Sequence, residues 1–200
     1  GLFMKKHYCK KTSSIDKDYI YTDKHIHSAW SDGRAGVFEI AQKAKALGLK
    51  QIAITDHIRS SSSYFEGYYD EIRNISNQLN IEILAGFEAR IEDLSGNCDV
   101  SQKIAQKADI CLASVHRFQI GGELCEPKSF EKERCQEIEL KLSIAALRNR
   151  GFDVLAHPGG MSLRSYGEFP LDFFEEIVKG CRKYDVAFEL NSSYHIPVLS

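Results

Sequence analysis

Two hundred residues, 43% apolar and 27% charged, suffice for a buried core without covalent staples, and this composition excludes a disordered or fibrous chain. Lys and Arg number 26 and Asp and Glu 28, a net charge of −2, which excludes a surface that is cationic throughout while leaving room for a nucleic-acid groove or a phosphate site. No run of eighteen apolar residues is present, so no membrane span is expected, and GLFMKKHYCKK at the start is too short in apolar residues for a secretion signal. The chain opens on Gly1, which makes Met4 a candidate natural start.

Residues 1–19 are polar and basic without periodicity and read as an N-terminal arm, leaving 20–200 as one domain. Strand patterns follow at 20–27, 51–57, 81–89, 110–116, 152–158 and 186–191. Helical patterns lie between them: 34–48, closed by Gly48; 65–79; a shorter one at 98–108; 128–150, closed by Gly151; and 171–184, with Pro170 at its start. Strand and helix in alternation predict βα units and a parallel sheet, open or closed. The Ser cluster at 60–63 and the Gly-rich stretch 119–127 read as loops. The aromatic segment 62–72 reads as core, with a substrate lid or protein interface as the other possibility.

The ends of the apolar runs carry the chemistry. Five of the six finish in metal-competent side chains: His25 and His27, Asp56 and His57, Glu88, His116, and His157. In a parallel α/β fold these ends share the rim where ligands bind. One such histidine is unremarkable, but repetition over successive strands is not. His25 and His27 are two apart on a strand, so both face one side and can clamp one ion. Imidazole and carboxylate together suit Zn, Mn or Fe. Glu88 has two oxygens and can bridge ions. Two or three divalent ions close together would hold phosphoryl oxygens and activate a water. Asp32, in SAWSDG, either caps the helix that follows or joins the cluster; Gly33 beside it reads as a turn residue with positive φ. Asp56 is expected to hydrogen bond a ligand imidazole rather than to ligate. The six cysteines, Cys9, Cys98, Cys111, Cys125, Cys135 and Cys181, form no CxxC pair and predict free thiols in a reducing, cytoplasmic compartment. Arg59, Arg117 and Arg164 each follow a motif and are candidate phosphate holders, with Arg90 and Lys128 behind them.

These segments resemble the PHP family, named for its polymerase and histidinol phosphatase members. The motifs are DKHIHSAWSDG (23–33), ITDH (54–57), GFEA (86–89), SVH (114–116) and LAHPGG (155–160), and the resemblance runs over about 20–191. It implies an α/β fold, an incomplete or distorted (β/α)7 TIM-like barrel. It implies that His25 and His27 hold one ion, that Glu88 bridges it to a second completed by His116 and His157, and that Asp32 and His57 hold a third. It also implies hydrolysis of phosphate esters. Lys24 stands where the family carries an apolar residue and should point away from the His25 and His27 side. The family follows its ELN segment with a further helix and a strand ending in Asp-x-His. Here the sixth piece is FELN (188–191), and the chain ends at Ser200 without that last βα part. Either the natural protein continues, or this is a fragment, or the protein works without the pair. His195 in SSYHIP does not match the missing histidine and reads as a loop residue.

The expected function is therefore metal-dependent hydrolysis of a phosphorylated small molecule, a histidinol-phosphate-like or nucleotide-like monoester, with arginines on the phosphate and no covalent enzyme intermediate. A 3′–5′ exonuclease or polymerase-associated module is the first alternative, since SAWSDG resembles the version in PHP domains of family X polymerases. A non-catalytic metal- or partner-binding domain is the second.

Overall fold

A computed structural model describes residues 19 and 21–195. The arm reading of residues 1–18, and Cys9 with it, lies outside the described residues. The chain forms two compact units, one from 19–88 with 100–111, the other from 89–99 with 112–195.

In the first unit β1 (Thr22–Ile26), β2 (Gln51–Ile54) and β3 (Glu82–Arg90, whose last two residues belong to the second unit) are parallel and neighbours in that order. The register between β1 and β2 shifts between Asp23 and Ile26, just where the histidines begin. Ile52, Ala53 and Ile54 are all fully buried, as in a strand covered on both faces. α1 (Val37–Ala46) starts three residues later than the sequence predicts, because Gly36 is its cap and its amide donates to Glu39 Oε2 at 3.1 Å. α2 (Phe65–Leu79) buries Phe65, Tyr68, Ile72 and Ile75 at helical spacing, so the aromatic segment is core at these positions. Each such side chain contributes about 1.5–3 kcal/mol by leaving water. α3 (Gln102–Lys107) leads into β4 (Ile110–Ser114), and Asp109 N donates to Ala85 O on β3 at 2.8 Å.

In the second unit Ile91 N, following β3, donates to Ser114 O at the end of β4 at 2.8 Å. β4 pairs in parallel with β7 (Val154–Leu155), and β7 with β8 (Ala187–Phe188). The Gly-rich loop expected at 119–127 is instead an antiparallel hairpin, β5 (Phe118–Ile120) and β6 (Glu123–Cys125). Its two-residue turn places Gly121 and Gly122 at φ +61° and +86°, the pair of positive angles that a tight hairpin needs. The long helix expected over 128–150 splits into a 3-10 turn (Pro127–Ser129) and α4 (Lys132–Asn149). α5 (Gly160–Tyr166) falls where only a motif was expected. α6 (Leu171–Tyr184) matches its pattern, with Pro170 as the cap rather than the first helical residue. Among the described residues no helix is long and apolar enough to cross a membrane.

Candidate metal centre

The end of β1, the loop after it, the residues following β2 and the end of β3 together place five sequence-predicted residues side by side in the first unit. β2 pairing continues past its end through a bridge between His57 and Glu88, which brings their side chains to one level. Glu88 N donates to Asp56 O at 3.0 Å, and Ile58 N to Glu88 O at 3.3 Å. Glu88 is 1% exposed, and three imidazoles surround its Oε2: His25 Nε2 at 3.4 Å, His27 Nε2 at 3.1 Å and His57 Nδ1 at 3.2 Å. His25 Nε2 and His27 Nε2 are 3.1 Å apart. The three atoms of His25, His27 and Glu88 thus make a triangle with edges of 3.1, 3.1 and 3.4 Å. A tetrahedral ion with bonds of about 2.0–2.1 Å separates its donors by about 3.3–3.4 Å. The donor set and its spacing therefore fit a divalent cation.

Asp32 resolves between its two readings: it does not cap α1, and it joins the cluster. Its Oδ1 lies 2.7 Å from His27 Nδ1 and its Oδ2 3.5 Å from His57 Nε2. With Asp32 on Nδ1, Nε2, which faces Glu88 and His25, is the nitrogen of His27 that would bind an ion, the arrangement that orienting partners of metal-bound histidines provide. His27, Asp32 and His57 themselves form a second group of potential ligands. Burial alone would lower the His27 pKa, but the hydrogen bond and charge of Glu88, helped by Asp32, raise it above the ordinary value. Burial would raise that of Asp32, but the hydrogen bond and charge of His27 and the charge of His57 hold it below.

Gly33 does not take a positive φ. Its glycine is required by contact: a Cβ there would stand 2.2 Å from His27 O and 2.5 Å from His27 C. Among the described residues Asp56 hydrogen bonds no imidazole, contrary to expectation. Fully buried, it accepts from Ser28 N at 2.8 Å, Ser28 Oγ at 2.6 Å and Ser31 Oγ at 2.5 Å, and so holds the loop between His27 and Asp32. These serines, and Tyr64, whose hydroxyl donates to His57 O, went unrecognised in the sequence; the only available signal was the two hydroxyls in SAWSDG. Burial and the charge of Asp56 push the Tyr64 phenol up to about 12. The Tyr68 hydroxyl lies 2.5 Å from Ile54 O and 2.9 Å from Gly86 O, pinning α2 to the strands that carry the cluster. Lys24 Nζ reaches Gln51 on β2, away from the imidazoles, as expected.

In the second unit His116 follows β4 and His157 follows β7, with ring centroids 5.4 Å apart and the planes 65° to one another. The three arginines differ. Arg59 and Arg164 are exposed, and Arg117 Nε pairs with Glu126 Oε1 at 2.8 Å. His195 is 2% exposed rather than in an open loop. Its Nδ1 accepts from Asn191 N at 2.9 Å, and its Nε2 donates to Pro158 O at 2.8 Å, so both ring nitrogens serve the backbone.

The PHP domain family matches residues 23–193. The chain belongs to the PHP domain family. A relative from Acetivibrio thermocellus, named a probable phosphatase, is 32% identical over 174 residues, 85% of this chain and 64% of the relative. This PHP chain thus spans less than two thirds of that relative's length. The DNA polymerase/3′-5′ exonuclease PolX of Bacillus subtilis is 27% identical over 194 residues, 93% of this chain and 31% of the relative. A Listeria monocytogenes crystal structure, provisionally named a histidinol phosphatase, superposes with a TM-score of 0.66 at 15% identity, covering 86% of this chain and 82% of that one. That likeness gives the fold of this PHP domain, α/β with a parallel sheet, an incomplete barrel.

Proposed function

We propose that this PHP domain, taken as residues 20–200, is a metal-dependent phosphoesterase that hydrolyses small phosphomonoesters of the histidinol-phosphate or nucleotide kind. The observation that carries the reading is the triangle of His25, His27 and Glu88, whose edges suit one divalent ion. The names of the phosphatase relatives support it.

In this reading His25, His27 and Glu88 hold one ion of Zn, Mn or Fe. His116 and His157, together in the second unit, serve another. Asp32 and His57 serve a third, or act on His27 and Glu88 from outside. When bound, the ions supply positive charge for phosphoryl oxygens and make an attacking water more acidic. The chain does the rest. Glu88, nearly free of water, keeps the centre anionic enough to retain cations. Asp32 holds the proton on His27 Nδ1 and frees Nε2. Asp56, through Ser28 and Ser31, fixes the loop that presents both. Arg59 and Arg164, exposed after the second and fifth motifs, are the guanidinium groups for the phosphate; Arg117 must first leave Glu126 to contribute. The five free cysteines among the described residues suit a reducing, cytoplasmic setting.

The test is phosphate release from a panel of phosphomonoesters by protein loaded with Mn or Zn. Release lost on Glu88→Gln supports the reading; no release from any monoester by metal-loaded protein overturns it. A nuclease reading is favoured by one observation, the match to PolX over 93% of the chain. Shortening of single-stranded DNA without release from monoesters would select it. Stable metal binding with neither activity would select a non-catalytic domain.

A further inference from the structure

Glu139 sits in the middle of α4, 1% exposed, and takes no part in the chemistry above. A buried carboxyl is costly unless donors surround it. Here the donors all come from the first turn of α5: Met161 N at 3.0 Å to Oε1, and Ser162 N at 2.8 Å and Ser162 Oγ at 2.6 Å to Oε2. No Lys or Arg pairs with it among the described residues. The helix it serves needs that help, because its cap is Gly159, which has no side chain to offer.

α5 begins three residues after His157, and His157 is not relaxed. Its φ is +31°, in a region that residues with a Cβ seldom occupy and that surrounding structure must hold. Three side chains do so, Glu139 and His195 buried and Glu189 half-buried. Glu189 Oε2 accepts from His157 N at 2.5 Å, and His195 Nε2 holds Pro158 O. Glu139 fixes the amides on the far side of the turn. Gly160, the first residue of α5, lies directly against the imidazole: a Cβ on it would stand 3.1 Å from His157 Nδ1. A shift of that first turn toward the ring would therefore press on it, and a shift away would remove its support.

We propose that Glu139 is the positioning residue for His157: it clamps the start of α5 and through it sets where the imidazole stands. The proposal rests on the reading of His157 as a metal ligand. Glu139→Gln replaces one acceptor oxygen by an NH2 group that meets backbone donors instead of accepting from them. Ser162→Ala is the milder variant, removing one bond and leaving the carboxyl. Leu142→Ala, a buried position on the same helix, is the control for ordinary destabilisation.

The measurements are metal stoichiometry, metal affinity by titration, and the visible absorption of the cobalt(II)-loaded protein. All are taken at a temperature where circular dichroism shows each variant folded. Glu139→Gln should weaken one ion by about 10–100-fold, as loss of an orienting partner does elsewhere, and change the cobalt spectrum. Ser162→Ala should act in the same direction and less. Leu142→Ala should lower the melting temperature and leave affinity and spectrum alone. Unchanged affinity and spectrum in Glu139→Gln, or an equal change in Leu142→Ala, overturns the proposal. His157→Ala separates the two levels. If it perturbs metal binding while Glu139→Gln does not, positioning fails and the ligand reading stands. If it too leaves metal binding unchanged, both fail.

Discussion

Gly33→Ala is the sharpest test of how the centre is built. The substitution adds one carbon, and that carbon arrives 2.2 Å from the carbonyl oxygen and 2.5 Å from the carbonyl carbon of His27, with Ser28 C at 2.8 Å. Backbone cannot swing aside as a long side chain can. Relieving the contact to even 3.0 Å requires the loop and His27 to part by roughly 0.8 Å, whereas metal–ligand distances tolerate about ±0.2 Å. Overpacking of this kind costs about 1–3 kcal/mol. At about 2–4 °C per kcal/mol for a chain this long, the melting temperature should fall by roughly 2–12 °C. Metal affinity should fall by about tenfold or more, since His27 and Asp32 lie on either side of the strained contact. Differential scanning calorimetry and zinc titration read the two effects. Gly36→Ala is the control, because a Cβ there meets nothing within 4 Å. Gly33→Ala binding zinc as tightly as the wild type would refute the account of why glycine stands there.

Further outcomes follow from other residues. Glu88→Gln should reduce bound metal by at least one ion per chain, read by mass spectrometry of metals, because the oxygen shared by three imidazoles loses its charge. Burial raises the Glu139 carboxyl above the ordinary range, and the donors of Ser162 and Met161 only partly offset it. A raised acid contributes stability that is complete below its unfolded pKa, about 4.3, and is lost as pH rises through the folded value. Urea midpoints of the metal-free protein should therefore fall relative to Glu139→Gln on going from about pH 4 upward; parallel profiles would contradict this. Burial pushes the thiols of Cys98 and Cys181 up to about 12. At pH 8 only about one part in ten thousand would be thiolate, so peptide mapping after brief alkylation should find both unmodified.

The parts of the fold legible in the sequence were those with a strong period. The apolar run at Ile52, Ala53 and Ile54 and the helical spacing of Phe65, Tyr68, Ile72 and Ile75 marked β2 and α2, although the strand was read three residues too long and the aromatic segment was left open between core and a lid or interface. The hairpin at 118–125 was illegible because its strands are three residues each, and α5 because seven residues after two glycines carry too little pattern. At the site, strand alternation correctly put His25 and His27 on one side. It could not decide Asp32, since a residue ahead of a helix suits a cap and a cluster equally, and only the late start of α1 at Val37 settles it. Gly33 was assigned the wrong reason, because a turn angle and a backbone contact both demand glycine. Glu139 gave no sign at all: in KERCQEIELKLS it is one acid among several, and only packing against α5 sets it apart.

Asp32 is 63% exposed on its side chain while Glu88 is 1% exposed. The same ring of donors is therefore anchored in a dry floor and finished by a wet edge. Access from solvent has a direction: a chelator or a competing anion would meet the Asp32 edge before Glu88. Any ion bound at the Asp32 edge would exchange faster than one bound at Glu88.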